Sequence, residues 1–90
     1  MRCEKTVTIV NKLGLHARAA TQLVQLAQTF NSDINLIQGE KSASAASVLG
    51  IMMLESYQGK AITIICEGDD AETALLAIEQ LISDKFHEAE

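Results

Sequence analysis

The 90-residue sequence contains no proline and no tryptophan, and aromatic side chains make up only 3% of it. With so few aromatic residues, the core has to be built from aliphatic side chains and alanine, and the hydrophobic content of 48% supports a globular fold. A chain of this length predicts one domain, spanning residues 1–90, that buries roughly 60 to 70% of the surface its unfolded chain exposes.

Basic residues are also scarce, since Lys and Arg total 7 against 12 Asp and Glu and the formal charge is -5. This balance argues against nucleic acid or an anionic membrane as the main partner. The longest apolar run, Val48 to Leu54, is far shorter than the ~20 residues that span a bilayer. The first residues, Met1 to Lys5, are charged and lack the apolar region of a signal peptide. We therefore expect a cytoplasmic protein.

The two cysteines, Cys3 and Cys66, form neither a Cys-x-x-Cys motif nor a Cys/His metal spacing. Reduced thiols are expected in the cytoplasm, and the sequence predicts no metal and no cofactor. His87 lies in a charged segment and is expected to be solvent-exposed without a role in a site.

The most informative stretch is the junction at His16, where an extended segment meets an alanine-rich helix. Thr6 to Val10 are β-branched and predict a strand with one buried face, which Asn11 to Gly14 end. A helix is predicted from about Ala17 to Thr29, with His16 at or beside its N-cap. The buried stripe of this helix consists of Ala20, Leu23, Val24, Ala27 and Phe30.

An anion beside His16 would find amide groups without intrahelical partners and the positive end of the helix dipole. Arg18 adds a full positive charge. Because imidazole is partly uncharged near neutral pH, it is a good nucleophile. The combination predicts a histidine that accepts and gives up a phosphoryl group, although a single histidine near a helix start is more often a surface residue.

The middle of the chain predicts two strands and a short helix. Ile34 and Leu36 alternate with polar residues in a second strand, and Lys41 to Ala43 form a short returning edge strand. Ser47 is a good N-cap for a short helix over Val48 to Leu54. The residues of this helix predicted to face the core are Val48, Ile51 and Met52.

The last third of the chain predicts a strand and a helix. Ala61 to Glu67 alternates clearly and is the strongest strand prediction. Asp69 and Glu72 resemble a capping box, and the helix should run to about Lys85, followed by an acidic tail. Its predicted buried stripe is Ala71, Ala74, Leu75, Ile78, Leu81 and Ile82. The order is βαββαβα, an α+β domain with three helices on one face of an antiparallel sheet, and a ferredoxin-like strand order remains open.

The stretch Gly14-Leu15-His16-Ala17-Arg18 resembles the active-site signature of the histidine-containing phosphocarrier proteins (HPr) of the bacterial phosphotransferase system. The similarity covers essentially the whole chain and implies an open-faced β-sandwich with strand order 1-4-2-3. It also implies that His16 is the phosphoacceptor, through Nδ1, and that Arg18 steadies the phosphoryl group. Ala19 replaces the family's usual proline, which predicts a less rigid first turn with an intact anion site.

The implied strand order also makes the first and fourth strands antiparallel neighbours. Cys3, near the start of one, should then lie close to Cys66, near the end of the other. Because free cysteines are often buried, we expect two reduced core fillers rather than a redox switch.

A second signature, Ser47-Val48-Leu49-Gly50, resembles the segment in which many HPr proteins carry a serine phosphorylated by a dedicated kinase. The resemblance implies Ser47 as a regulatory site in addition to its predicted role as an N-cap. In that family, docking on partners uses the start of the first helix and the exposed part of the second, and the resemblance implies the same here. The matching residues here are Ala17, Thr21, Val48, Leu49 and Met52.

The resemblance therefore implies a phosphocarrier rather than an enzyme. It would take a phosphoryl group from phospho-enzyme I and pass it to an enzyme IIA-type acceptor, with a serine kinase as a further partner. Sugar-transport members often carry lysines where this chain has Gln25, Gln28 and Gly50. The alternative is a nitrogen-related paralogue acting mainly as a phosphorylation-dependent binding module. A small acylphosphatase-like hydrolase using Arg18 would be a third class, but the sequence offers no water-positioning residues for it.

Overall fold

The computed structural model describes residues 1–89 and consists of an antiparallel four-stranded sheet packed against three helices. The strands lie in the order β1-β4-β2-β3, which confirms the predicted open-faced topology. A short 3₁₀ turn follows the last helix. In chain order the elements are β1 (Arg2–Thr8), α1 (Ala17–Ala27), β2 (Asp33–Gln38), β3 (Lys41–Ser44), α2 (Val48–Met52), β4 (Ala61–Glu67), α3 (Ala71–Ser83) and the turn Lys85–His87.

The core lies between the helices and one face of the sheet. In β4, Ile62, Ile64 and Cys66 are buried while the alternating residues are more exposed, as the pattern predicts. All six residues of the predicted α3 stripe are buried. Each buried Leu or Ile side chain contributes roughly 1.5–3 kcal/mol relative to an exposed one, so the aliphatic and alanine core replaces the missing aromatic residues.

The two cysteines face each other across the β1–β4 ladder, as the implied strand order predicts. Cys3 is the Cα partner of Cys66 in the register, and both thiols are free. Burial raises the pKa of the Cys66 thiol to about 11. A thiol that resists ionisation is a poor nucleophile, which agrees with the prediction of a reduced core filler.

The first strand and the first helix differ from the predicted bounds. β1 begins at Arg2 rather than Thr6 and ends at Thr8, because its length is set by pairing with the whole of β4, from Glu67 to Ala61. α1 ends at Ala27 rather than Thr29. Its end tightens into i→i−3 bonds, with the Thr29 amide 3.0 Å from the Leu26 carbonyl oxygen.

The second helix is shorter than predicted, ending at Met52 rather than Leu54. The prediction that Met52 faces the core was wrong, since the side chain is 37% exposed. This short helix packs mainly through Ile51, which is fully buried, while Leu54 reaches the core from the turn that follows.

The start and end of the last helix also correct the prediction. Asp70, not Asp69, is the N-cap, and its side chain makes no cap hydrogen bond among the described residues. Instead its carboxylate accepts from the amides of Asn31 and Ser32, at 2.8 and 2.9 Å. α3 ends at Ser83, two residues before the predicted end.

Candidate functional site

His16 is the N-cap of α1, with an extended backbone at φ -75° and ψ 179°. The first hydrogen bond of the helix runs from the Ala20 amide to the His16 carbonyl oxygen, at 2.8 Å. By the geometry of an α-helix, the three amides before Ala20 have no intrahelical acceptor. The His16 ring makes no cap hydrogen bond to them among the described residues. The helix therefore presents a histidine and free amide donors at the same end.

The loop before His16 is held by the segment that follows α2. The Leu15 amide donates to the Ser56 carbonyl oxygen at 3.0 Å, and the Leu15 side chain is buried. Gly14 has φ +65°, and a Cβ there would lie 2.5 Å from the same Ser56 oxygen. This close approach requires glycine and fixes where His16 leaves the loop.

The C-terminal segment returns to the site and brings Glu88 to His16. The Glu88 carboxylate is hydrogen-bonded to His16 Nε2. Its other oxygen accepts from Asn11 Nδ2 at 3.1 Å, and the same nitrogen donates to the Gly14 carbonyl oxygen at 2.8 Å. Asn11 is fully buried. Sequence reasoning misses both residues, because Asn11 reads as part of a turn and Glu88 as part of an acidic tail.

These contacts determine the charge of Glu88. Burial acts to raise its pKa, but hydrogen bonds with His16 and Asn11 outweigh burial, and Arg18 adds a favourable charge. The net effect is a pKa below the usual value of a glutamate. Glu88 is therefore ionised at neutral pH and places a negative charge against the imidazole.

Arg18 is exposed on the first turn of α1 and lines a cleft together with the C-terminal segment. His87 is exposed, as predicted, yet it lines the same cleft. The cleft therefore places His87 beside Arg18, which stands two residues after His16 in the chain, and of the two histidines only His16 is at the N-terminus of an α-helix. The full lining is Lys12, Leu13, Arg18, His87, Glu88 and Ala89.

Of the predicted docking residues, all but one are exposed. Ala17 and Thr21 are exposed on α1, and Leu49 is 68% exposed on α2, whereas Val48 is half-buried. Met52 lines one groove together with His16 and a second groove together with Leu49.

Two further polar groups lie near these grooves. Tyr57 lines the groove beside His16 and donates to Glu55 at 3.1 Å, a hydrogen bond that raises the pKa of the tyrosine. Ser47 Oγ accepts from the Gly50 amide at 2.9 Å, which confirms it as the N-cap of α2. The Ser47 side chain is exposed.

A family model described as "PTS HPr component phosphorylation site" matches residues 3–84. The chain belongs to the HPr family. The phosphocarrier protein NPr of Shewanella violacea is 58% identical over 88 residues, covering 98% of this chain and 97% of that protein. The phosphocarrier protein HPr of Cupriavidus necator is 39% identical over 87 residues, covering 97% of this chain and 98% of that protein.

The fold agrees with this family assignment. A crystal structure of HPr from Thermoanaerobacter tengcongensis superposes with a TM-score of 0.93 at 43% identity, covering 98% of this chain and 99% of that one. The chain is thus an HPr-type phosphocarrier of the phosphotransferase system rather than a catalyst, and this family interacts with the enzymes of that system. Within residues 1–89, no helix is long and apolar enough to cross a membrane.

Proposed function

We propose that His16 is the phosphoacceptor, which takes a phosphoryl group from phospho-enzyme I through Nδ1 and passes it to an enzyme IIA-type protein in the cytoplasm. The observation that carries the proposal is the position of His16 as N-cap of α1, where the helix leaves three amides free for an anion. The match to a family named for its phosphorylation site supports it.

Arg18 has the role of steadying the phosphoryl group. Its exposed side chain lines the cleft beside Glu88, so it can approach an anion on His16 without losing a buried partner. Ala19 is fully buried in the first turn. Unlike the family's usual proline, it has an amide that adds one donor at the helix start.

Docking uses the exposed surface around the site, with Met52 as its centre because both grooves include it. The proposed docking residues are Ala17, Thr21, Val48, Leu49 and Met52. Ser47 is the proposed regulatory residue, since its side chain is exposed beside this surface and available to a serine kinase.

Between the two branches of the system, the sequence comparison favours the nitrogen-related one. Identity to the NPr relative is 58%, against 39% for the HPr of Cupriavidus necator. Gln25, Gln28 and Gly50 stand where sugar-transport members often carry lysines, so the surface lacks charges that would speed docking onto acidic partners. Incubation with the enzyme I of each branch tests this, and faster transfer from the sugar-transport enzyme would contradict it.

The phosphoacceptor is tested with phosphoenolpyruvate, enzyme I and mass spectrometry of the labelled chain. We expect one acid-labile phosphohistidine at His16 and none in His16→Ala. His87→Ala is the matched control, because His87 lines the same cleft, and it should label like wild type. Label on His87, or label that survives in His16→Ala, would overturn the proposal.

Arg18→Ala should fold normally and transfer the phosphoryl group about tenfold more slowly, because one charge-assisted hydrogen bond to the phosphoryl oxygens is lost. Rapid-quench measurement of transfer from phospho-enzyme I gives the rate. Arg2→Ala is the control, since it also removes one arginine charge, but from the first residue of β1 rather than from α1. Equal rates in the two variants would show that the helix amides suffice without Arg18.

A further inference from the structure

The C-terminal segment reaches His16 through an unfavourable backbone. Lys85, Phe86 and His87 have φ of 57°, 55° and 64°, a left-handed conformation that residues with a Cβ rarely adopt. Such a turn persists only where its surroundings hold it. Here Phe86 is inserted into the core at 1% exposure, and Glu88 is bonded to His16 and Asn11.

The turn brings the Glu88 side chain into contact with the side chain of His16. Asn11 is fully buried and uses one amide group to bond both the loop carbonyl of Gly14 and the carboxylate of Glu88. The carboxylate is therefore oriented by a residue of the same loop that positions His16. The side chain of Glu88 is only 10% exposed, so water competes weakly for its oxygens.

The chemistry of the pair determines where the imidazole proton lies. An ionised carboxylate is only an acceptor, so the proton in the hydrogen bond has to be on Nε2 of His16. In a neutral ring the other nitrogen, Nδ1, then keeps its lone pair.

We propose that Glu88 is a positioning residue for phosphoryl transfer, which holds the Nε2–H of His16 so that Nδ1 is the attacking nitrogen and balances the charge that the ring acquires. This inference rests on the proposed function, because it takes His16 as the phosphoacceptor. Nothing in the sequence pattern assigns Glu88 this role.

In the transfer step the Nδ1 lone pair forms the new bond to phosphorus. The bond between phosphorus and phospho-enzyme I breaks, and its electron pair returns to that donor. The Nε2 proton stays on the ring, which becomes formally cationic. A carboxylate bonded to one imidazole nitrogen stabilises positive charge on the ring, as in other carboxylate–histidine pairs. The carboxylate contacts Nε2, away from the phosphoryl group at Nδ1.

The first test is ¹⁵N NMR of the His16 ring in the unphosphorylated protein. In wild type at neutral pH we expect an Nε2–H proton signal protected from exchange with water. In Glu88→Ala we expect that signal to be lost. Glu67→Ala removes the same charge from an exposed site at the far end of β4 and should match wild type. A protected Nε2–H in Glu88→Ala would overturn the proposal.

The second test is the rate of transfer from phospho-enzyme I. Glu88→Ala should transfer about tenfold more slowly than Glu67→Ala, which corresponds to one hydrogen bond to a charged group. Circular dichroism checks that both variants fold, and Glu88→Gln serves as a second variant that lacks the charge but preserves the size. Unchanged or faster transfer in both Glu88 variants would overturn the proposal.

The outcomes separate this inference from the proposed function. If wild type is not labelled on His16, the proposed function fails. If His16 is labelled equally fast with and without Glu88, only the positioning role fails. The NMR measurement needs no phosphorylated partner, so it reports on the Glu88–His16 contact in either case.

Discussion

At the scale of single residues, Gly14 determines how closely the His16 loop approaches the segment after α2. We expect Gly14→Ala to lower the free energy of unfolding, because a Cβ would lie 2.5 Å from the Ser56 carbonyl oxygen and the φ of +65° is unfavourable for alanine. Gly39→Ala is a matched control, since Gly39 has φ +60° but nothing within 4 Å of the added Cβ.

Urea unfolding of the two variants separates the clash from the backbone effect. The left-handed conformation alone costs alanine about 1–2 kcal/mol, which is the loss expected for Gly39→Ala. Gly14→Ala should lose more, and phosphoryl transfer should slow as His16 shifts. Equal losses of stability would mean that the loop yields to the new methyl group without strain.

The individual residues of the site differ in how far the sequence could predict them. His16 and Arg18 stand in one short signature, so the chain order alone places them together. Glu88 lies 72 residues from His16 and 77 from Asn11. No periodicity in an acidic segment indicates such a contact, because it depends on a left-handed turn and on a buried phenylalanine that follow no repeat.

At the scale of elements, α2 has Ser47 as its N-cap and carries part of the proposed docking surface. Ser47→Asp should keep the fold, because a carboxylate also caps a helix and is favoured at its N-terminus. The added charge lies beside the exposed Leu49 and Met52 and should weaken docking, which raises the KM for phosphoryl transfer from enzyme I. Ser47→Ala is the control that removes the hydroxyl without adding charge.

Two measurements distinguish these roles of Ser47. Ser47→Ala should lose about 1 kcal/mol of stability, the usual contribution of a cap, with little change in KM. Ser47→Asp should keep its stability and show a raised KM. An unchanged KM in Ser47→Asp would contradict the regulatory role and leave the cap in place.

Local sequence patterns predict which segments are helices and which are strands, but they do not predict several of the residues at which these elements begin and end. The α3 stripe and β4 were predicted because their periodicity is long and regular. The start of β1 depends on the length of its partner strand, which the local sequence of Thr6 to Val10 does not contain. Asp70 likewise serves the loop at Asn31 and Ser32 rather than its own helix.

At the scale of the whole molecule, the strand order came from the family resemblance rather than from residue patterns. Strand patterns give a buried face but not the neighbour of each strand. The burial of the strands in the structure agrees with this order. The central strands β4 and β2 contain buried residues such as Ile64 and Leu36, whereas the edge strand β3 contains none.

Two carboxylates join distant parts of the chain, and both should make stability depend on pH. Hydrogen bonds from Ser32, together with the Asn31 amide, lower the pKa of Asp70. In Glu88, contacts with His16 and Asn11 lower the pKa despite the opposing effect of burial. A group whose pKa is lowered on folding contributes stability above its unfolded pKa and loses it as the pH falls through the folded value.

We therefore expect the free energy of unfolding in urea to fall once the pH drops below about 4, the ordinary carboxyl range. The double variant Asp70→Asn, Glu88→Gln should be less stable than wild type at pH 7 and should lose less on acidification, because the groups that must be protonated are gone. Glu40→Gln, an exposed turn residue, is the control and should follow wild type. If the double variant kept the full acid dependence, the two carboxylates would not be its source.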